Sequence, residues 1–458
     1  MPRLVQGSVR RHLWQLSLPM GVGLLSLNSY SIADTYFVGQ LGTLPLAAMG
    51  FTFPVSSLLL AIGLGIGIGT SSVLSRLLGT GDRASVQRIT THALVLGAFL
   101  GLMVMVAGLS TIDPVFRAMG ADAQTLPLIR EYMEVYYYGG FFMILPMIGN
   151  FAMRAAGDAR IPAVILTTSA IINIILDPLL IFGWFGFPRL ELRGAALATV
   201  FANGATVLAS VAILYWRERL IRPRYLNMAK LLDSWRRVLH VGVPATASNL
   251  LSPATVAVIT ALVAGFGPAA VAGFGVATRI EALIMIVVFA VTSSVGPFTG
   301  QNYGAGRLDR VRQIAWQSEV FCVAYALAAA LVLWVVARPL VALFDSNPDV
   351  IDTAASYLII VPFSLSGFGV MLVAVAAFNA LGRPMPATMV TFIKLFVAYL
   401  PLAWVLSRLT GLNGIFVANA SVHLAFGVLG YFWFRRVLGS LDGVQSSAKP
   451  VVSASSVP

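Results

Sequence analysis

Apolar runs close to 20 residues long recur along this chain from one end to the other. A helix that crosses a bilayer needs about 20 predominantly apolar residues. In hydrocarbon the backbone must satisfy its own hydrogen bonds, so such runs read as membrane-spanning helices. A transmembrane β-barrel is excluded, because its strands alternate in segments of about 10 residues. Composition agrees: 10% of the 458 residues are charged, against about 25% in soluble domains, too little polar surface to cover such a chain in water. The run after Arg10 and Arg11 has the flavour of a signal peptide. It lacks a small-residue cleavage site and runs on too long, so it reads as a retained first span.

The expected fold class is an all-α polytopic membrane protein with twelve transmembrane helices. The spans are predicted over residues 13–38, 46–75, 90–111, 127–150, 160–183, 193–215, 238–262, 270–298, 314–338, 352–376, 386–408 and 412–435. Gly39-Gln40-Leu41-Gly42, Gly79-Thr80-Gly81-Asp82 and Gly265-Phe266-Gly267-Pro268 punctuate them. The Ser/Val/Pro-rich end from about Gln445 is expected to be disordered, and residues 441–458 are assigned to a cytoplasmic tail.

The net charge of +12 raises the thought of nucleic acid. With the N-terminus inside, 22 of the 30 Lys and Arg residues fall on the inner side, six fall outside, and Arg279 and Lys394 lie within spans. Positive residues favour the cytoplasmic side, so both termini are expected there. The basic excess is topological, with an added attraction to anionic membrane lipids, and no nucleic-acid partner is expected. The chain should sit as a monomer in the cytoplasmic (inner) membrane. The lone Cys322, inside an apolar run, permits no disulfide framework and reads as a small buried hydrophobe.

The chain also repeats itself. At an offset of 225, Pro19 falls on Pro244, Gly42 on Gly267, Gly50 on Gly275, Gly79 on Gly304, Gly81 on Gly306, Ile89 on Ile314 and Gly157 on Gly382. One residue is then lost, so Pro162 meets Pro386. Two lobes of six spans follow, residues 1–225 and 226–440, joined by the basic stretch from Arg217 to Arg237. Because six is even, the repeat is parallel, with its pseudo-twofold axis along the membrane normal. Two lobes facing a shared cavity suit alternating access.

Acids within spans are the most informative residues, since an Asp at mid-helix costs about 2.5–3.5 kcal/mol on the insertion scale. Asp34 lies in the first span and Asp177 in the fifth, while the repeat sets Ile259 and approximately Pro401 opposite them. Asn173 and Asp177, four apart, share a helix face. An amide oxygen beside a carboxylate suits Na⁺ or a hydrogen-bonded protonated acid. The other reading is of acids near span ends that reach water, since Gly39 follows Asp34, and Pro178 and Gly183 follow Asp177. Pro19 interrupts the first span, as a moving kink or as a static bend.

Arg279, Glu281 and Lys394 form a second charged set, in which Glu281 pairs with Lys394 or with Arg279, or serves substrate or ion movement. Glu134 and Glu319 lie near span ends, where solvation explains them. Gly63/Gly67 and Gly65/Gly69 are small-xxx-small pairs on two faces of the second span, suited to close helix packing. His12, His92, His240 and His423 show no metal-ligand clustering, and His423 reads as a helix contact. No nucleophile triad and no nucleotide-binding domain is present, so neither an enzyme nor direct ATP drive is expected. No cofactor is expected beyond a coupling ion, H⁺ or Na⁺.

Taken together, several stretches resemble the MATE (multidrug and toxic compound extrusion) transporters. They are Ala33-Asp34-Thr35-Tyr36-Phe37-Val38-Gly39-Gln40-Leu41-Gly42 with Leu46-Ala47-Ala48-Met49-Gly50, Gly69-Thr70-Ser71-Ser72, Asn150-Phe151-Ala152-Met153-Arg154-Ala155-Ala156-Gly157-Asp158, and Asn173-Ile174-Ile175-Leu176-Asp177-Pro178. The resemblance spans about residues 10 to 440. It implies an antiporter exporting amphipathic or cationic small molecules (drugs, dyes, toxic compounds) in exchange for H⁺ or Na⁺. It adds Tyr30, Asn150 and Thr199 to the site, with Asp34 and Asp177 as the coupling pair and Asn173 and Thr199 as ligands or hydrogen-bond partners. With Na⁺ as the coupling ion, Asp34, Asn173, Asp177 and Thr199 would hold it. It also links a kink at Pro19 to closure of the lobe pocket. An acid in span one with Asn-x-x-x-Asp in span five looks like the DinF-like branch. The NorM-like branch carries acids in spans seven and ten, where Ser252 and Met371 stand here. A flippase for lipid-linked oligosaccharide or lipid, from the same superfamily, is the alternative.

Overall fold

The computed structural model describes residues 3–225 and 230–447, with side chains as far as Leu441. The first half comprises α1 (Val9–Gly39), α2 (Thr43–Thr80), α3 (Arg83–Ala118), α4 (Thr125–Tyr138), α5 (Gly140–Ala155), α6 (Arg160–Phe182) and α7 (Glu191–Ala212). The second comprises α8 (Leu231–Ala264), α9 (Pro268–Gly304), α10 (Leu308–Val341), α11 (Pro348–Ala380), α12 (Pro384–Phe392), α13 (Leu400–Thr410) and α14 (Leu412–Ser447). Wider π-helical turns extend α7 through Ile213–Arg217 and join α12 to α13 through Ile393–Tyr399.

Among the described residues ten helices are long and apolar enough to cross a membrane. Two of the twelve expected spans, the first and the fourth, are not among them. The 31 residues of α1 carry Asn28, Ser29 and Thr35 in their second half. Each donates a hydrogen bond to the carbonyl four residues back, to Leu24, Leu25 and Ser31 at 2.9–3.0 Å, which satisfies that donor within the helix. The expected span 127–150 is not one helix: it breaks at Gly139, where a Cβ would collide with the Val200 side chain of α7. At the other end of the chain the helix α14 continues to Ser447, past the expected start of the tail at 441; residues 448–458 lie outside the described residues.

The repeat has a stereochemical basis. Gly42 and Gly267, Gly81 and Gly306, and Gly157 and Gly382 each have positive φ, 123° and 103°, 80° and 72°, 88° and 75°. Residues with a Cβ avoid that region, so corresponding turns keep glycine in both halves. Within the first half α1 packs on α6, and α2 and α3 on α5; within the second α11 packs on α9, α10 and α14. The halves meet through α2 against α8 and α9, and α1 against α9.

The glycines of α2 serve two partners. A Cβ on Gly63 would meet Met147 at 3.1 Å, and one on Gly67 would collide with the Phe151 ring, both on α5 within the half. On Gly65 it would collide with Thr246, and on Gly69 with the Val238 carbonyl, both on α8 across the halves. Polar contacts reinforce this seam. Ser17 Oγ donates to Ser294 Oγ at 3.1 Å, Ser72 Oγ donates to the Asn379 carbonyl, and Gln301 Nε2 donates to the Ala155 carbonyl at 2.7 Å.

Residues 3–7 strap this end, called basal here. Leu4 N–H donates to Gln301 Oε1 at 3.1 Å, while Asn302 and Arg310 donate to the Leu4 carbonyl at 3.2 and 3.3 Å. Arg310 also donates to the Gly7 carbonyl at 2.9 Å, and Arg3 pairs with Glu218 at 3.2 Å. Leu4 is buried in a core that draws Val9 and Leu13 from α1 together with Phe298, Val311, Phe378 and Leu438 of the second half.

Candidate functional site

The site grows from α1 and α6, which pack along each other in the first half. Asp34 lies five residues before the end of α1, and Asp177 precedes Pro178 near the end of α6. Both are buried, Asp34 with 6% and Asp177 with 0% of its surface exposed. Acids at span ends reaching water do not describe them. Each lies within electrostatic reach of the other.

Asn173, one turn before Asp177 and also buried, ties the pocket to α7. In the orientation that satisfies both ends of its amide, it donates to Asp177 Oδ2 (3.2 Å) and accepts from the Thr199 N–H (3.3 Å). Turned over, it donates to Thr199 Oγ1 at 3.4 Å. Asp34 Oδ1 and Asp177 Oδ1 have no hydrogen-bond partner among the described residues. A buried carboxylate without partners is costly unless a cation or proton neutralises it. The oxygens of Asp34, Asp177, Asn173 and Thr199 offer a hard-cation donor set, and the same carboxylates can share a proton.

Three tyrosines surround the acids. Tyr30 of α1 and Tyr132 and Tyr136 of α4 all lie within electrostatic reach of Asp34. The rings of Tyr132 and Tyr136 stack with centroids 5.7 Å apart, and Tyr136 neighbours Ser56 of α2. Sequence reasoning missed Tyr132, Tyr136 and Ser56. The i, i+4 spacing of two tyrosines in a short helix was a usable signal, but the break at Gly139 that turns that helix was not visible.

The other expected residues are distributed differently. Asn150, also buried, donates to the Pro146 carbonyl of its own helix at 3.2 Å, and its amide oxygen has no partner among the described residues. Nothing joins it to the acid pocket by a hydrogen bond among the described residues. Pro19 lies inside a helix that continues through it, between Ser17 and Gly21, which face Ser294 and Ala290 of α9. In the second charged set Arg279 is exposed. Glu281 forms a direct ion pair with neither expected partner: its carboxylate accepts from the Tyr357 hydroxyl, while Lys394 Nζ sits 3.8 Å from the centre of the Phe368 ring. Glu319 is buried at 3% exposure and 3.6 Å from Arg435, so pairing across helices, not solvation, accounts for it. Glu134, by contrast, is partly exposed near Arg193. Among the described residues no three His, Cys, Asp or Glu side chains gather as a metal site.

A cavity of about 520 Å³ opens at the basal end between α2 and α8, lined by Arg76, Arg236, Arg237, His240 and Asp233. Asp233 pairs with Arg237 at 3.1 Å, leaving the wall net basic.

Comparison with known proteins gives consistent likenesses. The MatE family model matches twice, over residues 19–179 and 244–405. An FAD transporter of Shewanella oneidensis is 36% identical over 434 residues, 95% of this chain and 96% of that protein. The multidrug export protein MepA of Staphylococcus aureus is 26% identical over 411 residues, 89% of each. Among solved structures, the Vibrio cholerae MATE transporter VcmN in its bent form superposes with a TM-score of 0.89 at 29% identity, covering 94% of this chain and 97% of that one.

Proposed function

The chain belongs to the MatE family of membrane transporters, and on that premise we propose that it is a cation-coupled antiporter exporting planar aromatic or amphipathic small molecules. The observation that carries the coupling is the pair of buried acids, Asp34 and Asp177, each with an unpartnered oxygen. In this reading inward-moving H⁺ or Na⁺ neutralises the pair while the halves stay joined at the basal end by the Leu4–Gln301, Ser17–Ser294 and Gln301–Ala155 contacts. A cation that binds the two conformations unequally shifts their balance, so neutralisation drives substrate release on the far side. In this reading the basal end is cytoplasmic, in keeping with its basic residues, and the ion site belongs to the first lobe.

For the substrate, two supports point in related directions. The FAD-transporting relative favours a flavin dinucleotide, and the basic wall of Arg76, Arg236 and Arg237 at the basal cavity suits its pyrophosphate. The multidrug-exporting relative favours drug-like cargo such as a cationic dye. Purified protein in liposomes, with an imposed pH or Na⁺ gradient and FAD or ethidium as cargo, separates them. Gradient-driven flux of at least one cargo is expected in the wild type and its loss in Asp34→Asn and Asp177→Asn. Undiminished flux in both variants would remove the coupling reading and leave the architecture intact.

A further inference from the structure

The second half contains a mostly buried polar cluster, with Glu281 itself half-buried, that the export cycle as described does not use. Glu281 comes from α9, Tyr357, Ser364 and Phe368 from α11, Lys394 and Tyr399 from the π-helical turn between α12 and α13, and Asn419 and His423 from α14. Lys394, Tyr357, Tyr399 and His423 are each less than one-tenth exposed. The Tyr357 hydroxyl donates to the Glu281 carboxylate and neighbours Asn419. His423 stacks on Phe368 with centroids 4.7 Å apart, and its Nδ1 meets Ser364 Oγ at 3.2 Å. Lys394 sits over the same Phe368 ring, within electrostatic reach of both Glu281 and His423.

Its position is telling. Tyr357 stands 225 residues after Tyr132, the offset of the repeat, and Glu281 stands 225 after Ser56, the neighbour of Tyr136. The last passage of each half opens Leu192-Arg193-Gly194 or Leu412-Asn413-Gly414, and a Cβ on either glycine would press on the carbonyl of Leu180 or Leu406. Five residues after these glycines come Thr199 and Asn419. The cluster therefore occupies, in the second lobe, the place that the Asp34–Asp177 pocket holds in the first. Its acid has moved from the first helix of the lobe to the second.

We propose that this cluster is a second proton site, with Glu281 as the group that takes up the proton and Lys394 as the cation beside it. The proposal goes beyond the export reading and does not depend on which substrate moves. Proton uptake converts the Glu281 carboxylate to a carboxylic acid, with the proton drawn from water, and forms or breaks no other covalent bond. A lysine locked to the carboxylate in a direct ion pair would be orphaned by that step. Here the ammonium rests on the Phe368 face, a cation–π contact that persists when the acid is neutral. The π-helical turn supplies the geometry, since such turns re-aim side chains within an otherwise regular helix and recur at functional sites. The groups facing Glu281 and Lys394 are Tyr357 on α11, Tyr399 on the turn and His423 on α14. No charged side chain of α8 or α10 lies within electrostatic reach among the described residues.

Infrared difference spectroscopy of the full chain in lipid, between about pH 5 and 9, reads buried carboxyl groups directly, because ordinary exposed carboxylates are already ionised there. The Asp34→Asn/Asp177→Asn double variant, built with Glu319→Gln to silence that other buried acid, is expected to retain a pH-dependent carboxyl C=O band, and addition of Glu281→Gln to abolish it. Gln keeps an oxygen for the Tyr357 hydroxyl, and Glu281→Asp, expected to shift the band without loss, secures the assignment should the Gln variant not fold. Lys394→Met is expected to move the midpoint by about one pH unit or more, the scale on which a nearby opposite charge acts. Absence of any band in the double variant, or a band indifferent to Glu281→Gln, would overturn the proposal. A midpoint unmoved by Lys394→Met would overturn the role of the lysine.

Discussion

Asp34 of α1 and Asp177 of α6 share one buried pocket, and each keeps an oxygen without a hydrogen-bond partner among the described residues. Asn173 is the member of the pocket that touches both Asp177 and α7. Its consequences can be measured.

Asn173→Leu removes the donor to Asp177 Oδ2, while the Thr199 N–H keeps its partner within α7. An unsatisfied buried polar group costs about 1–3 kcal/mol, so gradient-driven flux in liposomes is expected to fall roughly tenfold or more. Thr199→Val keeps the backbone contact and is expected to fall less. The reverse order would place the important contact at the Thr199 hydroxyl.

Tyr132→Phe and Tyr136→Phe each remove a hydroxyl from beside Asp34 and are expected to displace the pH profile of transport. Tyr137→Phe is the control, because the Tyr137 ring packs against Gly108 of α3. Equal displacement in all three would show that the ring packing of α4, rather than the hydroxyls near the acid, sets the profile.

Gly65→Ala and Gly67→Ala should separate conformation from stability. Both insert a Cβ into occupied space, against Thr246 and against the Phe151 ring, and overpacking typically costs about 1–3 kcal/mol. At Gly67 the strain falls inside one lobe and is expected to lower the melting temperature in detergent. At Gly65 it falls on the seam and is expected to raise maleimide labelling of a cysteine placed at Val238, with a smaller thermal effect.

Gln301→Ala deletes one side chain that bridges the Leu4 N–H and the Ala155 carbonyl. Two buried backbone groups lose their partner, and the closed basal seam is expected to lose about tenfold in population, again read by labelling at Val238. Unchanged labelling would mean that glycine packing alone holds the seam.

Asp82 caps α3, accepting from the Ser85 N–H at 3.0 Å, and hydrogen bonding from Ser85 holds its carboxyl below the usual carboxylate range. A lowered folded-state value means a contribution present above the unfolded pKa and lost as pH falls through the folded one. Melting temperatures from about pH 5 down to about pH 3 are expected to drop more for the wild type than for Asp82→Ala, since that window brackets the unfolded carboxylate value. Parallel curves would remove the cap from the acid response.

The architecture was legible because bilayers impose it. Run length set the passages, and turn glycines such as Gly81 and Gly306 exposed the duplication, since positive φ tolerates little else. Asp34, Asp177 and Asn173 were legible because an acid in hydrocarbon demands a reason. What escaped was set by helix irregularity. The break at Gly139 and the π-helical turn at Ile393–Tyr399 rotate side chains off the periodicity from which faces are read. Tyr132 and Tyr136 therefore carry no clear sequence signal of the acid pocket, and Lys394, one of two expected partners of Glu281, meets Phe368 instead. Glu319 lies near a span end in the sequence, but its partner Arg435 lies on a helix more than a hundred residues later.

The strap at residues 3–7 carries a consequence for how the molecule is made. Its partners Gln301, Asn302 and Arg310 leave the ribosome some 300 residues after Leu4 does. At roughly 5–20 residues per second, that is a wait on the order of 15–60 s. During that time the first lobe sits in the bilayer with its opening residues undocked. A segment made early is thus among the last to find its place, a closing clasp fastened once both halves exist.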